Sequence, residues 1–126
     1  MTGRRSGFTL IELLVVMAII ATLLTIAAPR YFRSLERSRE AVLKQDLATL
    51  RESIDRFYGD TGKHPKTLAL LVEKRYLRSI PVDPIAKSAD KWILVNVTDD
   101  PEDDGIKDIK SGAEGKGEND VPYLEW

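Results

Sequence analysis

Three patterns of apolar and polar positions follow one another along the chain. Residues 8–28 are apolar with one charge among them, Glu12; residues 29–58 place apolar side chains at helical spacing among many charges; beyond Gly59, short apolar runs alternate with glycine, proline and acidic clusters. The first stretch, about 21 residues at ~1.5 Å each, spans roughly 31 Å as a helix, which matches the hydrocarbon thickness of a bilayer. It predicts a membrane-spanning helix. A helix buried in the protein's own core would need apolar partners on every side, and the strongly polar remainder of 126 residues does not supply them.

Past Pro29 the period predicts that the helix continues, with Leu35, Val42, Leu47, Leu50, Ile54 and Phe57 on its buried face. Arg30, Arg33, Glu36, Arg37, Arg39 and Glu40 suit a solvated segment at or just beyond a membrane surface. Gly59, Asp60, Gly62 and Pro65 end the helix, giving a rod of about 75 Å from Phe8 to Tyr58. Residues 59–126 are too few for a large independent core and are expected to pack on the amphipathic face of that helix. Within them, residues 67–75 read as a short helix with Thr67 as N-cap and Leu68, Leu71 and Val72 inward. Pro81 and Pro84 flank Asp83 in a rigid connector. Residues 91–97 and 106–109 read as two strands of a small antiparallel sheet joined by an acidic turn. The fold class expected is α+β: a long N-terminal helix packed against a short helix, a small antiparallel sheet and a C-terminal loop.

Charge and composition narrow the chemistry. The net charge is −1, but residues 99–125 hold ten acids and three lysines, an electronegative end at which nucleic acid is not an expected partner. There is no cysteine and one imidazole, His64, beside Pro65 in a turn, where it reads as a surface or packing residue. No nucleophile, base and phosphate loop come together, so an enzyme is not expected. Asp100, Glu102, Asp104 and Gly105 begin the spacing of an EF-hand loop, but Ser111 stands where the closing bidentate acid belongs. A solvated hairpin tip is the expected reading.

Glu12 is the sharpest feature. A charged carboxylate at mid-span costs on the order of 3 kcal/mol, and less about one turn from the end. Two readings stand: the side chain snorkels to the headgroups and favours the helix N-terminus, or it seeks a cation. Cutting the basic leader, residues 1–7, after Gly7 would create an ammonium on Phe8, about one turn from Glu12. Both groups sit on one helix with backbone between them, so a neighbouring subunit's amine meets the carboxylate more readily than its own.

The string Gly7, Phe8, Thr9, Leu10, Ile11, Glu12, after a short basic leader and before an apolar run, resembles the class III signal of type IV prepilins and type II secretion pseudopilins. An ordinary secretory signal fits less well, because its cleavage site follows the apolar region. The resemblance implies cleavage after Gly7 by a prepilin peptidase, methylation of the Phe8 amine, Glu12 as assembly residue and Pro29 as the point of a helix bend or local unwinding. His64, Pro65, Leu71, Val72, Tyr76, Leu77, the Pro81 to Pro84 segment, Trp92 and Trp126 resemble the G-type major pseudopilins in particular. That implies a structural subunit of a secretion pseudopilus, polymerising with itself and with minor pseudopilins on an inner-membrane platform driven by an ATPase, with inner-membrane lipid around it before assembly. The alternatives are a type IV pilus subunit and a monomeric signal-anchored binding protein.

Topology divides charge from resemblance. Arg4 and Arg5 face Arg30, Arg33, Arg37 and Arg39 across the span, and the positive-inside rule alone puts the C-terminal domain in the cytoplasm. The resemblance implies the reverse, with residues 59–126 periplasmic. G-type pseudopilins also hold calcium in the C-terminal loop. The matching residues here are Glu114, Asn119 and Asp120, although Glu114 stands for the usual aspartate, Asn119 replaces an acid and the ending is longer. A calcium-bound loop and a loop held by Tyr123 and Trp126 packing are both open.

Overall fold

The structure is a computed structural model, and it describes residues 7–126. The leader expected at residues 1–7 lies outside the described residues except for Gly7, as do Arg4 and Arg5. The chain divides into two compact units, one ending at Glu36 and the other Arg37–Trp126.

Helix α1 runs Leu10–Thr61. Gly62, in the left-handed region at φ +76°, follows its last residue and donates its N–H to the Tyr58 carbonyl at 2.8 Å, a turn that glycine adopts without a Cβ penalty. The helix therefore ends three residues later than Tyr58. Helical geometry also passes through Pro29 without a break, so the local unwinding allowed for that position is not adopted. The ring lacks an N–H, which leaves the Thr25 carbonyl without its ordinary helical donor. Thr22 and Thr25 turn their hydroxyls back onto the carbonyls of Ala18 and Ala21, at 2.8 and 3.2 Å, so neither hydroxyl is left unsatisfied on this apolar segment.

The core lies in the second unit. Leu43, Leu47, Leu50, Ile54 and Phe57 step along α1 at intervals of four and three and are buried. Val42, expected on this face, is 50% exposed. Its neighbour Leu43 takes the place because only that register meets Leu47 four residues on; one residue is about 100° of helix rotation. Helix α2, Leu68–Glu73, is capped as expected: the Thr67 side chain accepts the N–H of Leu70 at 3.1 Å, and Leu68 and Leu71 face the core.

Strands β1, Ile93–Asn96, and β2, Ile106–Lys110, pair antiparallel. Ile93 faces Lys110 and Val95 faces Asp108, but Asn96 faces Ile106, which leaves Lys107 as an extra residue on β2. This bulge has a use. Ile106 and Ile109 are three apart and would point to opposite faces of a regular strand, yet both are fully buried because the bulge shifts the phase between them. Trp92 is buried just before β1 and donates its indole N–H to the Pro81 carbonyl at 2.8 Å. A 3₁₀ turn, Tyr123–Glu125, closes the chain. The architecture is the α+β one expected, with the core-bearing unit reaching back to Arg37 because the buried face of α1 is part of it.

Candidate functional site

The first turn of α1 is built by Thr9. Its hydroxyl accepts the N–H of Glu12 at 3.1 Å and its carbonyl accepts the N–H of Leu13 at 3.1 Å, so Thr9 is the N-cap and the helix starts two residues after Phe8. The sequence carried this signal: a threonine three residues before a glutamate is the spelling of a capping box. Here the cap fixes Glu12 in the first turn, where the helix dipole favours an anion.

The Glu12 side chain is exposed and has no hydrogen bond or ion pair among the described residues. Around it the surface is oil: Phe8, Leu10, Ile11, Leu13 and Leu14 are each more than half exposed, and the apolar window of α1 has none of its residues buried. This segment is long and apolar enough to cross a membrane. Glu12 is thus a lone charged residue set in an uncovered apolar surface, with no cation among residues 10–28 of its helix. Gly7 and Phe8 precede the helix outside regular structure and are exposed.

The acidic segment before β2 is not a wholly solvated tip. Asp103 is buried and accepts the backbone N–H groups of His64 and Gly105, each at 3.2 Å, with its Oδ2 2.7 Å from His64 Nδ1. The hydrogen bond from His64 holds the Asp103 carboxyl below the ordinary aspartate range against its partial desolvation. His64 also stacks on Tyr58, with centroids 4.4 Å apart. The imidazole thus has a packing role, joining the end of α1 to the hairpin.

Of the expected calcium ligands Glu114, Asn119 and Asp120, the first two do not line one cavity. Glu114 lines a cavity with Ile85, Ala86, Lys91, Gly112 and Ala113; Asn119 lines a different one with Lys44, Leu47, Arg51, Val121 and Trp126. The Asn119 Oδ1 accepts the N–H of Val121 at 3.2 Å. Among the described residues, no group of three or more acidic, histidine or cysteine side chains could hold a metal. Calcium needs six to eight converging oxygens, carbonyl oxygens among them.

Sequence reasoning also missed Asp83. It is fully buried, accepts the N–H groups of Ile85 at 2.9 Å and Ala86 at 3.0 Å, and takes a short hydrogen bond from the Ser111 hydroxyl. Placement between two prolines was the available signal, since such a carboxylate commonly bonds its own following backbone.

Comparisons with known proteins agree with the N-terminal geometry. Residues 2–28 match the prokaryotic N-terminal methylation motif. The chain is 26% identical to type II secretion system core protein G of Escherichia coli K12 over 99% of this chain and 93% of that protein. It is 28% identical to the core protein G of Pseudomonas aeruginosa, over 98% of this chain and 96% of that protein. A type IV major pilin, PilA of Myxococcus xanthus, is 36% identical over 61 residues, 48% of this chain and 28% of PilA. No solved structure matches the chain at a significant level. The chain thus carries the N-terminal methylation motif and is similar along almost its whole length to type II secretion system core protein G.

Proposed function

We propose that the chain is a structural subunit of a type II secretion pseudopilus. The observation that carries this reading is Glu12: a carboxylate in the first turn of an uncovered apolar helix, five residues after a Gly7–Phe8 junction. Hydrolysis of the Gly7–Phe8 amide by a prepilin peptidase frees the Phe8 amine, which is then methylated. The amine of one subunit neutralises Glu12 of the next, so the ion pair sets the docking register while the apolar helices replace lipid with one another. Before assembly the leader side faces the cytoplasm and the Arg37–Trp126 unit faces the periplasm. An inner-membrane platform and its ATPase supply the work of extraction, minor pseudopilins join the filament, and its growth moves proteins through the outer membrane.

The test is complementation with Glu12→Ala. The variant is expected to be cleaved and membrane-inserted yet to form no filaments and restore no secretion, and normal secretion would refute the pairing. Mass spectrometry of the mature N-terminus is expected to find N-methyl-Phe8; an intact Met1 would instead favour a monomeric anchored protein. A type IV pilus subunit is the second reading, favoured by the identity to PilA. Rescue of piliation rather than of secretion would select it.

A further inference from the structure

The loop of residues 111–126 carries Glu114, Glu118, Asp120 and Glu125 against one lysine, Lys116. Such a loop needs something to hold it in place, and protein groups meet that need at both of its ends. At the entry, the Ser111 hydroxyl donates to buried Asp83 and accepts the N–H of Ala113 at 3.1 Å. At the exit, a row of side chains on α1 takes hold. Arg37 Nε lies 3.0 Å from both carboxylate oxygens of Glu118. Glu40 Oε1 accepts the N–H of Glu118 at 3.1 Å and the hydroxyl of Tyr123 at 2.9 Å. Lys44 Nζ stands 5.2 Å over the Trp126 ring. Arg51 Nη2 donates to the Trp126 carbonyl at 2.7 Å and to the Ile109 carbonyl at 3.0 Å, while its Nε pairs with Asp108.

These four residues, at 37, 40, 44 and 51, recur at three, four and seven and so lie along one stripe of α1. The loop is shaped to receive that stripe. Trp126 donates its indole N–H to the Val121 carbonyl at 3.2 Å and packs edge-on against Tyr123, and a Cβ at Gly117 would collide with the Trp126 ring. Of the residues that would have to converge on an ion, Asn119 already accepts the Val121 N–H through its Oδ1, and it lines a different cavity from Glu114. The cavity beside Asn119, about 280 Å³, is lined by the cations Lys44 and Arg51, whose field opposes a divalent cation.

We infer that this loop is locked by the Arg37, Glu40, Lys44 and Arg51 stripe together with Asp83 and Ser111, and that its order does not depend on calcium. The inference concerns folding and holds whether or not the chain polymerises. The full-length protein in detergent micelles, followed by tryptophan fluorescence on heating, is expected to melt at one temperature in EDTA and in millimolar calcium. Calorimetric titration with calcium is expected to give no saturable heat. Glu40→Ala is expected to lower the melting temperature by about 4–8 °C in both conditions, and Asp120→Ala to leave it unchanged. Glu40→Gln keeps an acceptor oxygen and is expected to lose less, so it serves if the alanine variant does not fold. A fall in EDTA that calcium reverses, saturable binding abolished by Asp120→Ala, or an unchanged melting temperature in Glu40→Ala would each overturn the inference.

Discussion

One helix carries two kinds of surface, and the contrast between them separates what this chain does alone from what it does with others. In α1, residues 10–27 are apolar on every side and exposed on every side; the segment from Leu43 to Phe57 is apolar on one stripe only, and that stripe is buried. The second segment has its partner within the chain, in α2, β2 and the C-terminal loop. The first has none among the described residues, so its favourable environment must come from outside: lipid first, then, in our reading, other copies of the same helix. Polar groups follow the same division. Asp83 and Asp103 are buried with several internal donors each, whereas Glu12 is paired with no cation among the described residues. A carboxylate satisfied within its chain stabilises the fold, and the one left unsatisfied on an apolar surface is, in the function we propose, the point of an encounter.

The comparison would break most directly at Leu50. Leu50→Ala empties a fully buried site and is expected to cost 2–5 kcal/mol, about the range for such truncations. Ile19→Ala, at a side chain 54% exposed, is expected to leave the melting temperature of the detergent-solubilised protein unchanged. Equal losses in thermal unfolding would show that both segments have internal cores.

Asp83→Ala is next in size. It strands the buried N–H groups of Ile85 and Ala86 and the Ser111 hydroxyl, at an expected cost of about 1–3 kcal/mol in urea unfolding. A smaller effect is expected from acid. Because the Asp103 carboxyl titrates below the ordinary aspartate range in the folded protein, its stabilisation is present above the unfolded value and is lost as pH falls through the folded one. Asp103→Asn is expected to flatten the dependence of melting temperature on pH in that window, and an unchanged slope would remove the His64 contact as its source.

Asp46 runs the other way and is the smallest effect. Burial, and then the charge of Asp83, raise its carboxyl above the ordinary range, so the favourable contribution exists below the unfolded value and is lost as pH rises through the folded one. Asp46 is partly exposed, and screening by solvent keeps the effect slight. Asp46→Asn is expected to raise the melting temperature slightly at neutral pH and to lose that advantage in acid; a lower melting temperature at neutral pH would show that the ionised carboxylate contributes a contact.

Local patterns made much of this legible. The span, Glu12 within it, the Thr67 cap, the end of α1 near Gly62 and both strands were readable because each is a property of neighbours within a few residues, which is the range over which helical and strand periods act. The Thr9 cap was readable too, but the eye follows the apolar run and not the threonine that starts it. The one-residue slip at Val42 had a visible cue, the five-residue step from Val42 to Leu47, which fits no helical face.

The sequence by itself determined that one segment must leave water, that a single acid lies inside it, and that the remainder is α+β with its core on an amphipathic helix. Only the tertiary structure decided which partners these acids have: Asp103 with His64, 39 residues away; Asp108 with Arg51, 57 away; Glu118 with Arg37, 81 away. The physical reason is that hydrophobic period is dictated by backbone geometry, which repeats every few residues and marks any face that must be covered. A charge pair depends instead on where the chain returns in space, and neither member of the pair carries the position of the other.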